Sequence, residues 1–311
     1  MMTMNTYIDT HTHMDHKRFD SNRKEIIEAS HDAGIKLMVN AAIDFESNYT
    51  MRKALDKYDY IKYAVGIHPN TVGTDENVEA EWDSGLLQLL AGNDKSPKIV
   101  AIGETGLDFH RLPRGSNGEL EEEGIITLSR QFAWFRKQLK LASMMKLPLI
   151  LHVRNATPEK VCAEYNLESG TSIEHTDAQR EVLTILRDFS ENLTLETKGV
   201  VHCFSSDKLS DAEEYIELGF MLGVGGSLTH PENEKLREII RQIPLENIVL
   251  ETDCPYLLPV EMPEEIAIAG KRNTPLSIPY IAEYLAELKD VSVDEVAAIT
   301  TANAKKLFRI E

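Results

Sequence analysis

The stretch "KIVAIGE" at residues 98–104 is a short apolar run that ends in a carboxylate. It does not alternate between apolar and polar residues, as a strand with one solvated face would. Continuous apolar runs of this length are typical of parallel strands that are covered on both faces. Seven further runs of the same kind occur, at 6–9, 35–43, 61–68, 148–153, 199–204, 219–226 and 247–253. The chain therefore contains eight candidate strands of a parallel sheet.

Longer amphipathic stretches separate or follow these runs. They lie at 21–34, 120–146, 207–218, 232–242 and 276–308. Apolar residues recur in them at helical spacing, as Phe132, Phe135 and Leu139 do. Strands alternating with helices predict an α/β protein with a (β/α)8 TIM barrel, in a single domain over residues 1–311. A doubly wound open sheet is the alternative, but no GxGxxG motif follows the first strand.

Two segments are longer than a barrel requires. Residues 105–120 predict an extended loop after the fourth strand. Residues 155–198 predict a second extended connection, after the fifth strand, with an additional helix at about 176–190. Because barrel enzymes carry their chemistry at the C-terminal ends of the strands, we expect both insertions on that face.

Composition and charge exclude some classes of function. The formal net charge of −18 argues against a protein that coats duplex DNA through a basic surface. It does not exclude an enzyme that takes phosphates into a local metal site, because bound divalent cations invert the local field. The three cysteines are far apart and lack CxxC spacing, which favours a reducing, cytoplasmic location. No signal-peptide pattern and no run approaching about 20 apolar residues occurs, so we expect no membrane partner, and no obligatory protein partner is evident.

Imidazole and carboxylate groups follow the apolar runs directly. The residues are His11, His13, Glu104, His152, His202 and Asp253. The C-terminal ends of barrel strands meet at one rim, where buried groups of this kind need a partner that offsets their desolvation. Imidazole with carboxylate suits Zn²⁺ or Mn²⁺, and carboxylate-rich sites also bind Mg²⁺. The pattern predicts a centre of two divalent ions with one bridging carboxylate.

The first strand supplies two of these ligands with a spacing that has a direct reason. Side chains two apart on an extended backbone point to the same face, so His11 and His13 can bind one ion. Asp9, two residues earlier, is expected to orient a ligand by hydrogen bonding. His16, in the same stretch, has no strand-end position and is assigned to the surface.

Each of the other ligands also has an ordinary interpretation. Glu104 could cap the turn that follows it, and Asp253 could begin a turn before a proline. His202 could be a core histidine with its hydrogen bonds satisfied. These interpretations explain the residues separately but not why all six follow strands, and the metal hypothesis is therefore favoured.

The strand-end pattern does not assign a single role to several neighbouring residues. His68 ends the third strand and either contacts substrate or positions its loop. His110 and Arg111 lie in the predicted loop after the fourth strand, where they could be simple solvent-facing groups. Cys203 and Cys254 each follow a predicted ligand, so strand alternation should turn them away from it. We therefore expect no thiol nucleophile.

The motifs together resemble a known family. "DTHTHMD", "GIHP", "GETGLDF", "LPLILHVRNA", "GVVHCFS", "ETDCPYLLP" and "RNTP" occur in this order, between Ile8 and Phe308. This set resembles the TatD-related metal-dependent hydrolases and deoxyribonucleases of the amidohydrolase superfamily. The resemblance implies a TIM barrel, a divalent-metal centre and 3′→5′ exonuclease or related phosphodiesterase activity on DNA.

The resemblance also assigns roles to individual residues. The six predicted ligands match the metal-site positions of the family. Glu104 would be the bridging ligand, and Asp253 would also handle the nucleophilic water. The positions on the substrate side are His68, Arg154 and Asn273. Lys271 and Arg272 are further candidates for phosphate contact, with exposed solubilising charge as their alternative.

Some features depart from the family pattern. Asn70 stands where the family often has a second histidine, and the 155–198 segment is longer than usual. Both bear on which substrate reaches the metals. Related lactonases and phosphotriesterases often use a carboxylated lysine on strand 4, but Glu104 occupies that place here and Lys98 lies at the strand's other end. This favours the nuclease branch.

The functional hypothesis is hydrolysis of a phosphodiester in DNA by metal-activated water, with Asp253 as proton acceptor. One alternative is hydrolysis of an ester or amide at the same centre, as in a D-aminoacyl-tRNA deacylase or a lactonase-like enzyme. A non-enzymatic protein on a degenerate barrel should have lost a ligand, and none is missing. A structural zinc site usually has a closed four-ligand shell, unlike this set of six.

Overall fold

The computed structural model describes residues 5–72, 98–262 and 272–311, so Lys271 lies outside the described residues. Eight parallel strands form one sheet in sequence order. They are β1 (Tyr7–Thr12), β2 (Ile35–Ala41), β3 (Ile61–Val65), β4 (Ile99–Asp108), β5 (Leu149–Arg154), β6 (Gly199–His202), β7 (Phe220–Val224) and β8 (Ile248–Leu250). A parallel bridge between Thr12 and Cys254 joins the end of β1 to the chain that follows β8. The predicted (β/α)8 barrel is confirmed.

Nine helices surround the barrel in the described ranges. They are α1 (Arg23–Asp32), α2 (Phe45–Leu55), α3 (Glu122–Met145), α4 (Pro158–Tyr165), α5 (Ala178–Phe189), α6 (Leu209–Glu217), α7 (Glu234–Gln242), α8 (Ile278–Lys289) and α9 (Val293–Phe308). The additional helix predicted after the fifth strand is α5, and the final helical region consists of α8 and α9. The short helix α4 was not anticipated. No helix in the part of the chain that the structure describes is long and apolar enough to cross a membrane.

The apolar residues of the strands divide between two clusters. One cluster joins the outer faces of the strands to the helices. The other takes at least one residue from every strand, for example Ile8, Ile150 and Val249, and includes Leu307 and Phe308 of α9. Because all eight strands contribute to it, this second cluster fills the barrel, and α9 closes its end. This packing explains why the runs are apolar without alternation.

Strand β4 extends further than the sequence indicated. Glu104 was expected to end the strand, but β4 continues to Asp108, with a register irregularity between Ile102 and Thr105. Residues 105–120 were expected to form an extended loop. Gly106 instead allows close approach to β5, because its φ is 144° and a Cβ there would lie 2.0 Å from the His152 carbonyl oxygen. The extended loop therefore begins at residue 109.

Candidate metal centre

The predicted ligands meet at the C-terminal end of the barrel, around a cavity of about 680 Å³. This size is within the range of small-ligand sites. His13, Glu104, His152, His202 and Asp253 line the cavity. His11 lies beneath them, fully buried, with its ring stacked on that of His202 at a centroid distance of 3.5 Å. The structure thus brings all six predicted ligands together.

The two carboxylate oxygens of Glu104 face different groups of imidazoles. Oε2 lies 3.4 Å from Nε2 of His11 and 3.7 Å from Nε2 of His13. Oε1 lies 2.8 Å from Nδ1 of His152 and 3.9 Å from Nε2 of His202. A carboxylate placed between two sets of nitrogen donors has the arrangement of a bridging ligand.

Asp253 completes the first of these groups. Its Oδ1 lies 3.3 Å from Nε2 of His13, 3.7 Å from Nε2 of His11 and 3.8 Å from Nε2 of His202. Burial raises the pKa of Asp253, but the hydrogen bond with His13 and the charges of His202 and His11 outweigh it and hold the pKa below its ordinary value. Asp253 is therefore a carboxylate at neutral pH, and 14% of its side chain is exposed to the cavity.

The ring nitrogens of this cluster are arranged as ligands for cations. Nε2 of His11 and Nε2 of His13 lie only 3.1 Å apart. The Nδ1–H of His13 donates to the Ala41 carbonyl at 2.9 Å, which leaves its Nε2 with a lone pair. Nδ1 of His11 is buried without a hydrogen-bond partner among the described residues. Lone pairs converging in this way fit a divalent cation shared with Asp253 and Glu104.

The surrounding carboxylates shift the protonation of the cluster. Burial lowers the pKa of His152, but the hydrogen bonds with Asp108 and Glu104 outweigh burial and raise the pKa to about 9. Burial also lowers the pKa of His13, and the hydrogen bond and charge of Asp253 raise it to about 9. Burial raises the pKa of Glu104, yet the imidazoles of His68 and His11 hold it well below its usual range. In the absence of a cation, protons on these imidazoles balance the acidic groups.

A relay of hydrogen bonds that the sequence analysis missed holds His152. Its Nε2 lies 3.0 Å from Oδ2 of Asp108, and the same oxygen accepts a hydrogen bond from Nδ2 of Asn70 at 2.9 Å. Asp108 was not predicted because the strand was expected to end at Glu104. The signal that would have found it is the register of the sheet, in which Asp108 pairs with Arg154 at the end of β5.

Glu251 lies beside His202 and was also missed, although Nδ1 of His202 makes no hydrogen bond among the described residues. It is fully buried, and its Oε1 lies 3.1 Å from Nδ1 of His202 and accepts a hydrogen bond from the Cys203 backbone at 2.6 Å. Its Oε2 has no hydrogen-bond partner among the described residues. Gly223 leaves room for this oxygen, because a Cβ there would lie 2.3 Å from it.

Asp9 acts on backbone rather than on a ligand side chain. Its Oδ1 accepts hydrogen bonds from the backbone N–H groups of His11 at 3.3 Å and Thr252 at 3.0 Å. Its Oδ2 accepts from the Thr252 hydroxyl at 2.7 Å. Asp9 therefore ties the ligand-bearing segment of β1 to the segment that follows β8 and carries Asp253.

His68 lies beside the second group, yet its hydrogen bonding differs from that of the other imidazoles. Its Nδ1 accepts a hydrogen bond from the backbone N–H of Asn70 at 3.0 Å. The proton of the neutral ring is therefore on Nε2, which lies 3.1 Å from Nδ1 of His152 and 3.4 Å from Oε1 of Glu104. A nitrogen that carries a proton is a donor and not a metal ligand. The hydrogen bond with Asn70 matches the loop-positioning alternative for His68, and its substrate-side role stays a prediction.

Basic side chains form one wall of the cavity. Arg111, Arg154 and Lys160 all line it. His110 was a candidate for a solvent-facing group, but it is buried and lies 2.7 Å from Oε2 of Glu164 on α4. Arg111 donates to the other oxygen of Glu164 at 2.6 Å. Helix α4 thus fixes the side chains of the loop after β4 at the edge of the cavity.

Two other predicted substrate contacts lie elsewhere. Asn273 is fully buried, and its Nδ2 donates to the carbonyls of Thr252 at 2.7 Å and Leu257 at 3.2 Å. It holds the turn that follows Asp253 and does not line the cavity. Arg272 is buried as well, with its guanidinium 4.8 Å from the ring centre of Phe19. Neither the proposed phosphate contact of Arg272 nor its alternative as an exposed charge matches this position.

The cysteines next to ligands behave differently from each other. Cys254 is buried and turned away from the centre, with its sulfur 3.6 Å from that of Met14. Cys203 lines the cavity, contrary to the expectation from strand alternation, because its φ of 45° interrupts the extended backbone after β6. Burial raises the pKa of the Cys203 thiol well above its ordinary value. The thiol is therefore protonated and a poor nucleophile.

Comparison with known proteins shows similarity over almost the whole chain. A family described as TatD related DNase matches residues 8–309. The uncharacterized metal-dependent hydrolase YabD of Bacillus subtilis (strain 168) is 31% identical over 304 residues, covering 97% of this chain and 98% of YabD. The 3′-5′ ssDNA/RNA exonuclease TatD of a Rahnella species is 29% identical over 295 residues, covering 94% of each chain.

A solved structure agrees with this result. The crystal structure of YjjV, a TatD homolog from Escherichia coli K12, matches with a TM-score of 0.77 and 28% sequence identity. The match covers 99% of this chain and 100% of that one. The similarity therefore includes the barrel, both ends of the sheet and the segments that carry the six ligands.

Proposed function

The chain belongs to the TatD related DNase family and is a metal-dependent hydrolase, and from this premise we propose that it is a 3′→5′ exonuclease acting on single-stranded nucleic acid, with DNA as its main substrate. The proposal includes two divalent cations, of Zn²⁺, Mg²⁺ or Mn²⁺, held on either side of Glu104. The name of the Rahnella relative, a 3′-5′ ssDNA/RNA exonuclease, supports this choice of substrate.

The observation that carries the choice of a phosphodiester is the basic wall of the cavity. Arg111, Arg154 and Lys160 line the same cavity as the metal ligands, in a chain whose formal net charge is −18. Cations gathered at one place on an acidic protein favour an anionic substrate. Guanidinium groups in addition match the geometry of phosphate oxygens. A small neutral ester or amide, such as the substrate of a lactonase-like enzyme, would need none of these groups.

One group of ligands would comprise His11, His13, Asp253 and Oε2 of Glu104. The other would comprise Oε1 of Glu104 with His152 and His202. Divalent cations bound there would lower the pKa of water toward neutrality and neutralise charge that develops on phosphate oxygens.

The chain's own side chains would divide the remaining tasks. Asp253 is ionised and open to the cavity, so it would accept the proton of the attacking water. The Nε2–H of His68 would donate to a phosphate oxygen. Arg154, at the end of β5, would hold the next phosphate of the strand and keep the scissile bond in register.

The proposal is tested with a 5′-labelled single-stranded oligonucleotide in Mg²⁺, Mn²⁺ or Zn²⁺. A 3′→5′ exonuclease yields a ladder that shortens from the 3′ end, and it leaves a circular single strand intact. Arg154→Ala should lower kcat/KM on the oligonucleotide by about tenfold, which corresponds to the loss of a charged hydrogen bond. The matched control is Arg180→Ala, since Arg180 is exposed on α5 and does not line the cavity.

Two results would overturn the proposal. One is absence of turnover of every oligonucleotide with every metal while an aminoacyl or carboxylic ester is cleaved. The other is cleavage of circular and linear strands at equal rates, which would identify an endonuclease.

A further inference from the structure

An exposed aromatic ring stands at the mouth of the cavity, beside the metal ligands. Tyr256 lines the cavity, and 45% of it is exposed. Its ring centroid lies 6.1 Å from that of His13. Leu257, which also lines the cavity, is 37% exposed. These are two of the few large apolar side chains that are exposed in the described part of the chain.

The ring of Tyr256 has no stacked neighbour in the described part of the chain. His13 and His16 both contact it, but their rings are nearly perpendicular to it, at 73° and 72°. Among the described residues no ring lies parallel to the phenol. An aromatic ring that is partly exposed and has no stacked neighbour can accept a flat partner.

The backbone that carries the ring is fixed. The N–H of Tyr256 donates to the Asp253 carbonyl at 2.8 Å. The Leu257 carbonyl accepts a hydrogen bond from the buried side chain of Asn273 at 3.2 Å. This carbonyl also packs on Gly226, where a Cβ would lie 2.1 Å from its oxygen. The ring is therefore presented at a set distance from Asp253 and not on a mobile loop.

A positively charged side chain lies near the ring of Tyr256. Arg18 is exposed, and its Nη1 donates to the carbonyl of Pro255, the residue before Tyr256. This places a positive charge beside the aromatic ring, on a segment that also carries Lys17. An aromatic platform next to a cation is the combination by which proteins bind the bases and the backbone of a single strand.

We infer that Tyr256 is a stacking platform for a nucleobase next to the scissile phosphate, and that Leu257 forms the apolar edge of this base subsite. The inference rests on the proposed function, because it assigns a base subsite to the same cavity. Since every base has an aromatic face, a subsite of this kind selects nucleic acid over other phosphodiesters and tolerates any sequence.

The test combines a variant with altered substrates. Tyr256→Ala should raise KM for a single-stranded oligonucleotide by about tenfold, a typical effect of removing one base stack. Tyr256→Phe should retain wild-type KM, because it keeps the ring. Tyr49→Ala is the matched control, since Tyr49 is 51% exposed on α2 and does not line the cavity.

The same comparison is then made with strands that carry an abasic residue at the 3′ end or at the penultimate position. If base and ring act through one stack, removal of the base at one of these positions should raise KM about tenfold for the wild type. It should have much less effect on Tyr256→Ala. The increase in KM caused by removing the base and the increase caused by removing the ring would then not add.

The inference is overturned if Tyr256→Ala leaves KM unchanged, or if its loss is the same on abasic and complete strands at both positions. It is also overturned if Tyr256→Phe loses as much as Tyr256→Ala. Failure of the proposed function looks different, because wild-type protein would then turn over no strand, or would cleave circular and linear strands at equal rates.

Discussion

Nδ1 of His202 lies 3.1 Å from Oε1 of Glu251, and both side chains are buried. A carboxylate on the far nitrogen of a metal-binding imidazole fixes the ring orientation and raises the basicity of the other nitrogen. We predict that Glu251→Gln weakens metal binding by about 10- to 100-fold, because a neutral amide provides neither effect as well. Titration against a competing chelator measures the loss.

The matched control for this variant is Glu246→Gln, since Glu246 is exposed in the short 3-10 helix that precedes β8 and does not line the cavity. Unchanged metal affinity in Glu251→Gln would mean that Glu251 serves only the backbone of Cys203. The thermal midpoint of the metal-free variant separates a loss of affinity from a general loss of stability.

The acid dependence of metal binding follows from the protonation of the imidazoles. Burial lowers the pKa values of His13 and His152, but their carboxylate neighbours raise both to about 9. Both values are above the ordinary value, so at neutral pH these rings are protonated in the metal-free protein. Burial lowers the pKa of His202, but its interactions with Cys203 and Glu251 raise it well above the ordinary value as well. Only the neutral ring is a ligand, and metal binding must therefore displace protons from these rings.

We predict that metal affinity rises with pH up to about 9 and falls about tenfold per unit below it for each proton released. Calorimetric titrations at pH 7 in two buffers of different ionisation enthalpy give the number of protons. Equal apparent enthalpies in the two buffers would contradict the prediction, because they would mean that no proton is released.

The sequence was sufficient to predict the barrel and the group of six side chains that meet at its rim, whose role as metal ligands stays a prediction. A strand covered on both faces is apolar throughout, so the first polar residue after it marks the rim. This holds for His152 and His202, which lie at or near the ends of their strands, whereas Asp9 and Thr10 precede His11 within β1. The residue types at those positions then indicate the chemistry.

The supporting residues could not be predicted in the same way, because their roles depend on contacts across the sheet. Asp108 supports His152 only because β4 continues past Glu104 through a register irregularity. Glu251 fits against His202 only because Gly223, on a third strand, leaves space for it. Asn273 matches a family motif, yet it holds the turn beneath Tyr256 from a buried position. None of these relations has a local sequence signal.

Gly106 offers a test of how closely β4 and β5 approach each other. A Cβ at this position would lie 2.0 Å from the His152 carbonyl oxygen, on a backbone with a φ of 144°. We predict that Gly106→Ala destabilises the protein by about 3 kcal/mol or more, because the strands must separate or the backbone must change conformation. Gly170→Ala is the control, since its φ is 89° but nothing lies within 4 Å of the added carbon. It should cost only about 1 to 2 kcal/mol. Equal shifts of the urea midpoint in the two variants would contradict the prediction.

The position of its proton decides whether His68 is a ligand or a donor. Its Nδ1 accepts from the Asn70 backbone at 3.0 Å, so its Nε2 carries the proton and points toward Glu104. We predict that His68→Ala retains the full metal content of the wild type and lowers kcat/KM on an oligonucleotide by about 10²-fold, the effect of removing one donor to the developing charge. His68→Gln should recover part of this loss, because its amide can donate.

His152→Ala is the matched variant, since its imidazole lies 2.8 Å from the same oxygen of Glu104 that His68 faces. Elemental analysis of this variant should show loss of one metal equivalent, unlike His68→Ala. If His68→Ala also loses an equivalent, and His68→Gln does not restore activity, then His68 binds metal and its ring has the opposite tautomer.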